Sequence, residues 1–515
     1  MSTFNSLVKQ ESAIRNGEGA VAFDMSPEME LYTAVVTTSL SEKFYETASE
    51  RLDRIAELVG QCHAEFVAKL AVYARQQMNL RSVPLLLVVE LAKVHSGDNL
   101  VSRTIDRVVL RADEIMELLH CYQWRNGRVA ATGSTGKPAK RLGRLSHQIQ
   151  VGLQNAFNRF NEYQFAKYDR NNLDVKLRDA LFLVHPKAKD QAQQALFDKI
   201  ASRTLQVPYT WETELSALGQ QTFESIDDKF LAFSLKWEDL IESGAVGYMA
   251  LLRNLSNILA YRVRRNMLEK VNSRIGDKSE VLNAHLFPFR FLAAYRELEY
   301  NYHYFARQFR ESLEQAVLLS AQNIPGFDKD TRVVLASDVS GSMNVPISEH
   351  SSIRCYDIGL MLSMLLKNRC ENVISGIFGD EWKVIDTPSD EILCNTLKMA
   401  RHSDEVGFST NGYKVIEYLC KQNIVADKVL MFTDCQMWDS QEDGKDLRKS
   451  WMKYKKLAPD AKLYLFDLSG YGNTPLNIVR EDVFLIAGWS DKIFDMLQAL
   501  ENGSSIVEEI QKTVL

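Results

Sequence analysis

The C-terminal third of the chain holds three short segments rich in oxygen donors. The first is Asp338-Val339-Ser340-Gly341-Ser342, which follows the apolar run Arg332 to Ala336 (RVVLA). A strand ending there puts Asp338 at the rim of a sheet. A turn through Gly341 can then bring the Ser340 and Ser342 hydroxyls to the same point. Carboxylate and hydroxyl oxygens are hard ligands suited to Mg²⁺ or Mn²⁺, with water completing the shell. Thr410 lies in Gly407-Phe408-Ser409-Thr410-Asn411-Gly412, just before a helical pattern, and Asp434 ends the apolar run VLMFTD. Both sit where a second and a third loop should contribute. D-x-S-x-S alone is a weak signal, because Asp and Ser commonly cap the element after a strand. Three such pieces at successive strand ends favour a metal site over a set of caps.

The combination resembles the metal-ion-dependent adhesion site of von Willebrand factor A domains. The resemblance implies that Asp338, Ser340, Ser342 and Thr410 supply oxygens directly or through water, and that Asp434 holds coordinating water. It also implies one open position, often filled by a partner's carboxylate. A catalytic reading is weaker. Phosphoryl-transfer enzymes of similar topology use D-x-D, and here the third position is Ser340, which cannot act as a carboxylate acid. No P-loop, G-x-S-x-G elbow or H-E-x-x-H occurs. No enzymatic activity is expected.

These loops need a sheet to hold them. Residues 331–515 alternate apolar runs with helical patterns. Strands are expected near 332–336, 373–378, 429–432, 463–466 and 484–487. Helices are expected near 355–366, 392–400, 415–420, 447–457 and 492–500. The alternation predicts an α/β domain with a doubly wound parallel sheet, whose ligands bind at the carboxyl ends of the strands. Residues 26–322 differ. Apolar residues recur at three- and four-residue spacing, as at Phe66, Leu70, Tyr73 and Ala74. So long a run of short helices predicts stacked HEAT-like hairpins. Residues 323–330 (NIPGFDKD) connect the halves, and residues 1–25 form an N-terminal arm.

The chain has 515 residues and a formal net charge of -6, which argues against a uniformly basic coat. The charge is unevenly spread. No Asp or Glu occurs between Glu117 and Glu162, an interval holding Arg125, Arg128, Lys137, Lys140, Arg141, Arg144 and Arg159, with Trp124, Phe157 and Phe160 nearby. Its centre, 133–144 (GSTGKPAKRLGR), reads as a flexible cationic loop entering a helix. Clustered Lys and Arg attract phosphates and release counterions, although a short charge run is usually a solvated face. Lys167, Arg170, Lys176 and Arg178 follow. His185, before Pro186, by itself reads as a histidine at a helix end. The seven Cys are scattered with no CxxC, which disfavours zinc or a disulfide framework and fits a reducing compartment. The first twenty residues lack the apolar core of a signal peptide. No run approaches the ~20 apolar residues of a membrane span, and Val83 to Ala92 reads as a buried helix. A cytoplasmic protein is expected.

Taken together the two halves resemble the Ro (TROVE) autoantigen family. The matching segments are Ala74-Arg75-Gln76 with Leu80-Arg81-Ser82-Val83-Pro84, Gly143-Arg144-Leu145, Lys167-Tyr168-Asp169-Arg170-Asn171, Leu177 to Lys187 (LRDALFLVHPK), Ala250 to Leu255 (ALLRNL) and Asp338 to Met343. Ser146 and His147 replace an expected basic residue, and Phe287-Pro288-Phe289 departs from the family's H-P-F. The resemblance implies a ring of HEAT-like hairpins closed by the A-type domain. It implies small non-coding Y RNAs on an outer basic surface and single-stranded 3′ ends of misfolded RNA in the central hole. Lys167, Arg170 and His185 correspond to RNA-contacting positions, with Lys137, Lys140, Arg141 and Arg144 as neighbours. An exoribonuclease partner is implied for bacterial members. The rival reading is a metal-dependent adhesion or assembly scaffold that clasps a protein carboxylate.

Overall fold

A computed structural model describes residues 13–38, 45–126, 128–132, 138–142, 144–169, 174–349, 351–438, 446–478 and 482–515. The strands among them are β1 (Ala13–Arg15), β2 (Val21–Asp24), β3 (Arg128–Thr132), β4 (Pro138–Leu142), β5 (Val333–Asp338), β6 (Val373–Phe378), β7 (Trp382–Val384), β8 (Lys428–Thr433), β9 (Lys462–Asp467), β10 (Asn473–Thr474) and β11 (Val483–Ala487). The chain folds as two compact units. One takes in the chain up to Arg51 and Glu214 to Glu509, and the other Leu52 to Thr213 with Ile510 to Leu515.

The unit starting at Leu52 is helical. Helix Ala64–Gln76 packs on Ser82–Val94 and on Leu100–Val108, which packs in turn on His147–Phe157. Gly152 allows that last approach: a Cβ there would lie 2.6 Å from Ile105 Cβ. Ser82–Val94 buries every residue from Val83 to Leu91, Glu90 included, as its largely apolar run predicts. The Arg75 and Arg81 motif has a structural use. Buried Glu114 accepts Arg75 Nη2 at 2.8 Å on one oxygen and the Leu110 and Arg111 amides at 2.7 and 3.0 Å on the other. Arg81 reaches the first oxygen at 3.5 Å. The segment expected as a loop entering a helix, 133–144, includes instead strand β4, which pairs antiparallel with β3 just before the segment, Ala130 opposite Lys140 and Val129 opposite Arg141. The Gly- and Lys-rich composition hid two strands too short for a visible period.

The other unit joins helices to an α/β domain. Its sheet runs β11-β9-β8-β5-β6-β7, all parallel except β7, which pairs antiparallel with β6 at one edge. β5 is buried along its whole length, as a central strand covered on both faces must be. Helices Phe289–Glu297 and Tyr304–Ser320 pack on the domain's helices Cys355–Lys367 and Ile392–Ala400. Two polar clamps fix them. Arg296 forms a two-pronged pair with fully buried Asp357 at 2.7 and 3.0 Å. Glu314 accepts the Leu393 and Cys394 amides at 3.0 and 2.8 Å, capping the next helix. The described part of the N-terminal arm, from Ala13, holds two strands: β1 pairs with β2, and β2 with β10.

Candidate functional site

β5 and β8 are neighbours in parallel register, Ser337 opposite Phe432. Asp338 and Thr433 therefore end side by side, and Asp434 follows at the carboxyl edge. The Gly341 amide donates to the Phe408 carbonyl at 2.8 Å, and the Trp438 amide donates to the Thr410 carbonyl at 2.9 Å. These bonds tie the 407–412 loop to the two strand ends. Asp338, Ser340, Ser342, Thr410 and Asp434 are all 5 % exposed or less. The Ser340 and Ser342 hydroxyls lie 3.3 Å apart. One Asp338 oxygen accepts the Ser340 amide at 2.9 Å and the other the Thr433 hydroxyl at 2.6 Å. Asp434 accepts the Gln436 amide at 3.0 Å.

Burial, and then the nearby Asp434 charge, push the Asp338 carboxyl up to about 7. A divalent cation relieves both costs, since it replaces lost hydration and screens the two acids from each other. Two carboxylates with three hydroxyls fit Mg²⁺ or Mn²⁺ by donor type. Among the described residues no group of three or more His, Cys, Asp or Glu is gathered for a metal, so a cation here would depend largely on the hydroxyls. Cys435 adjoins the site, but burial and three Asp neighbours raise its thiol well above the ordinary range. Asp467, at the end of β9 beside Thr433, had the same signal as Asp434, an acid closing an apolar run. It is fully buried and accepts the Ser469 and Gly470 amides at 2.9 and 2.7 Å.

The basic stretch divides. Lys137 and Arg170 lie outside the described residues, and Lys140 and Arg141 are placed only as strand positions of β4. Arg125 pairs with Glu90 and Asp53 at 2.6 and 2.7 Å, and Arg159 donates to the Asp106 and Val109 carbonyls at 2.6 and 2.9 Å. Those two cations are used in packing. Phe157 and Phe160 are core residues, whereas Trp124 is 49 % exposed. Arg144 is exposed just before helix His147–Phe157, and its carbonyl accepts the Tyr122 hydroxyl at 2.9 Å. His185 is also exposed. It sits at φ 50 as the C-cap of helix Leu177–Val184, and its carbonyl accepts Gln154 Nε2 of the same helix His147–Phe157 at 3.2 Å. Lys167 is exposed, 5.7 Å from the Tyr168 ring.

The TROVE domain model matches residues 29–209 and 203–317, over half of the chain. The chain belongs to the TROVE family. A second model, the Ro60 vWA domain, matches residues 332–500, so the A-type domain is of the Ro kind. The crystal structure of the Deinococcus radiodurans Ro (RSR) protein superposes with a TM-score of 0.60 and 16% identity, covering 92% of this chain and 100% of that one; at that identity it shows shared fold alone. Telomerase protein component 1 of Rattus norvegicus is 23% identical over 53% of this chain, and that of Mus musculus 22% over 48%. The matches span only 13% and 11% of those longer proteins.

Proposed function

We propose that this TROVE protein is an RNA-binding protein of the Ro type. Its ligands in this reading are small non-coding, Y-like RNAs and single-stranded 3′ ends of misfolded RNA. Its role is RNA quality control or processing, beside an exoribonuclease partner. The observation that carries the reading is one helix. His147–Phe157 has exposed Arg144 just before its start and binds the His185 backbone through Gln154. A cation and an imidazole in a unit without acids between 118 and 161 suit phosphates and bases. Lys137, Lys140, Arg141, Lys167 and Arg170 complete the proposed RNA-binding set. The work is binding, with no catalytic group assigned.

The proposed metal is Mg²⁺, with Mn²⁺ as substitute, held by Asp338, Ser340, Ser342, Thr410 and Asp434. Its role is to clasp an acid. Seven free cysteines suit a reducing cytoplasm, and no helix among the described residues is long and apolar enough to cross a membrane. The functional division we propose is an arm (1–25), an RNA-binding module (26–322) and a metal-binding domain (331–515). An adhesion scaffold without RNA is the second reading, favoured by the buried oxygen site alone. Purification of the protein under mild salt, followed by extraction and sequencing of bound nucleic acid, separates them. Discrete small RNAs support the Ro-type reading. Nucleic-acid-free protein that binds no added RNA supports the scaffold.

A further inference from the structure

The N-terminal arm reaches the rim of the metal site. Between β1 and β2 the chain turns through Asn16 to Ala20, and Asn16 Oδ1 holds the turn by accepting the Glu18 and Ala20 amides at 3.1 and 2.9 Å. Two bonds anchor this turn next to Asp434. Asn16 Nδ2 donates to the Met437 carbonyl at 2.8 Å, and the Gly17 amide donates to Gln436 Oε1 at 2.7 Å. Gln436 in turn donates its backbone amide to Asp434 and its side-chain amide to Asn473 Oδ1 of β10, each at 3.0 Å. β10 pairs with β2, so the arm is fastened to the domain at two places.

The acid at the tip of that turn is Glu18, half-buried, with its carboxylate accepting from the Tyr45 hydroxyl. Its turn is anchored to Gln436 and Met437, the residues just after Asp434, and burial, then the charge of Asp434, raise its pKa. Packing tolerates little displacement: a Cβ at Gly17 would lie 2.7 Å from the Tyr45 ring, and Tyr45 packs edge-on against Tyr471. A turn that brings an acid to the loop carrying Asp434 is unfavourable on its own and favourable around a cation.

We propose that Glu18 is the chain's own carboxylate for the open position of the Asp338 site, a tethered ligand that competes with acids from outside. The proposal rests on the metal reading above. Glu18, Asp338 and Asp434 are not gathered as a three-acid cluster, so Glu18 reaches the ion through a bridging water or after rotating its side chain. Tethering gives it a high effective concentration, and an outside acid has to displace the arm before it can bind.

The test uses the full chain and Mn²⁺ as probe, with free Mn²⁺ followed by electron paramagnetic resonance. Glu18→Gln keeps shape and removes charge. It is expected to weaken Mn²⁺ binding on the order of 10- to 100-fold, the scale for a supporting group of a metal site. Gly17→Ala, which leaves Glu18 in place but forces the turn off Tyr45, is expected to weaken it similarly. A second readout is tryptic cleavage after Arg15: Mn²⁺ should slow it in the wild type, and Glu18→Gln should abolish that protection. Unchanged affinity and protection in Glu18→Gln, with binding lost in Asp338→Ala, overturns the tethered ligand and leaves the metal site standing. Wild-type protein that binds no Mn²⁺, or Asp338→Ala that binds it normally, overturns the metal reading and this proposal with it.

Discussion

The Thr433 hydroxyl donates to Asp338 Oδ2 at 2.6 Å, across the ends of adjacent strands β8 and β5. The bond orients the Asp338 carboxylate, so Thr433 would support the proposed metal site without belonging to the sequence motif. Asp338→Ala should abolish Mg²⁺ and Mn²⁺ binding, measured by calorimetry. Thr433→Val should weaken it about ten-fold, as expected for a group that only orients a ligand. Neither change should alter RNA affinity, because the basic determinants lie in the other compact unit. Equal metal affinity for wild type and Asp338→Ala would remove the metal from the account.

Arg296 and Asp357 tie the last helices of the helical module to the α/β domain. Asp357→Asn should lower stability by about 2–3 kcal/mol, the range for hydrogen bonds to a charged group whose partner is left behind, read from urea unfolding. Arg296→Lys should be little more stable than Arg296→Met, since a single ammonium cannot make the two parallel bonds. Full recovery by Lys would mean that charge alone matters.

At Gly152 helices Leu100–Val108 and His147–Phe157 approach closely, leaving no room for a Cβ beside Ile105. Gly152→Ala should cost about 1–3 kcal/mol by overpacking against Ile105, despite the better helix propensity of Ala. A rise in melting temperature would show that the helices can part.

His185 combines a left-handed backbone with an exposed ring. His185→Ser should weaken Y-like RNA binding by about 1–2 kcal/mol, the value of one hydrogen bond to a charged group, while thermal stability stays close to wild type. His185→Gly should bind as poorly and melt no lower, because glycine adopts that φ freely. Loss of stability with affinity intact in the folded fraction would reduce His185 to a helix cap.

The α/β domain was readable because its buried strands are continuous apolar runs. The expected strand at 373–378 and helix at 392–400 match the observed elements residue for residue. The placement of the oxygen-rich loops followed, since strand ends fix where Asp338 and Asp434 emerge. β7 was invisible at three residues, and so were the short strands β1 and β2, the second of which also pairs with β10, some 450 positions along the chain. Glu18 was missed for the same reason: nothing local to GEGA marks it as a neighbour of Asp434. In the basic stretch, counting charges could not tell Arg144, which is exposed, from Arg125 and Arg159, which bind carboxylates and helix-end carbonyls. That distinction exists only once helices have packed.

The central claim is that this chain binds RNA through its basic module, and salt dependence tests it most directly. A labelled small RNA with a single-stranded 3′ end is titrated with wild-type protein and with Lys137→Gln/Lys140→Gln/Arg141→Gln/Arg144→Gln over a series of salt concentrations. The account predicts tight wild-type binding that falls steeply with salt. In the quadruple variant binding is weaker and the slope shallower by about 0.7 to 0.9 for each phosphate no longer neutralised. Wild-type protein that fails to bind, or a variant with the same affinity and the same slope, would contradict it.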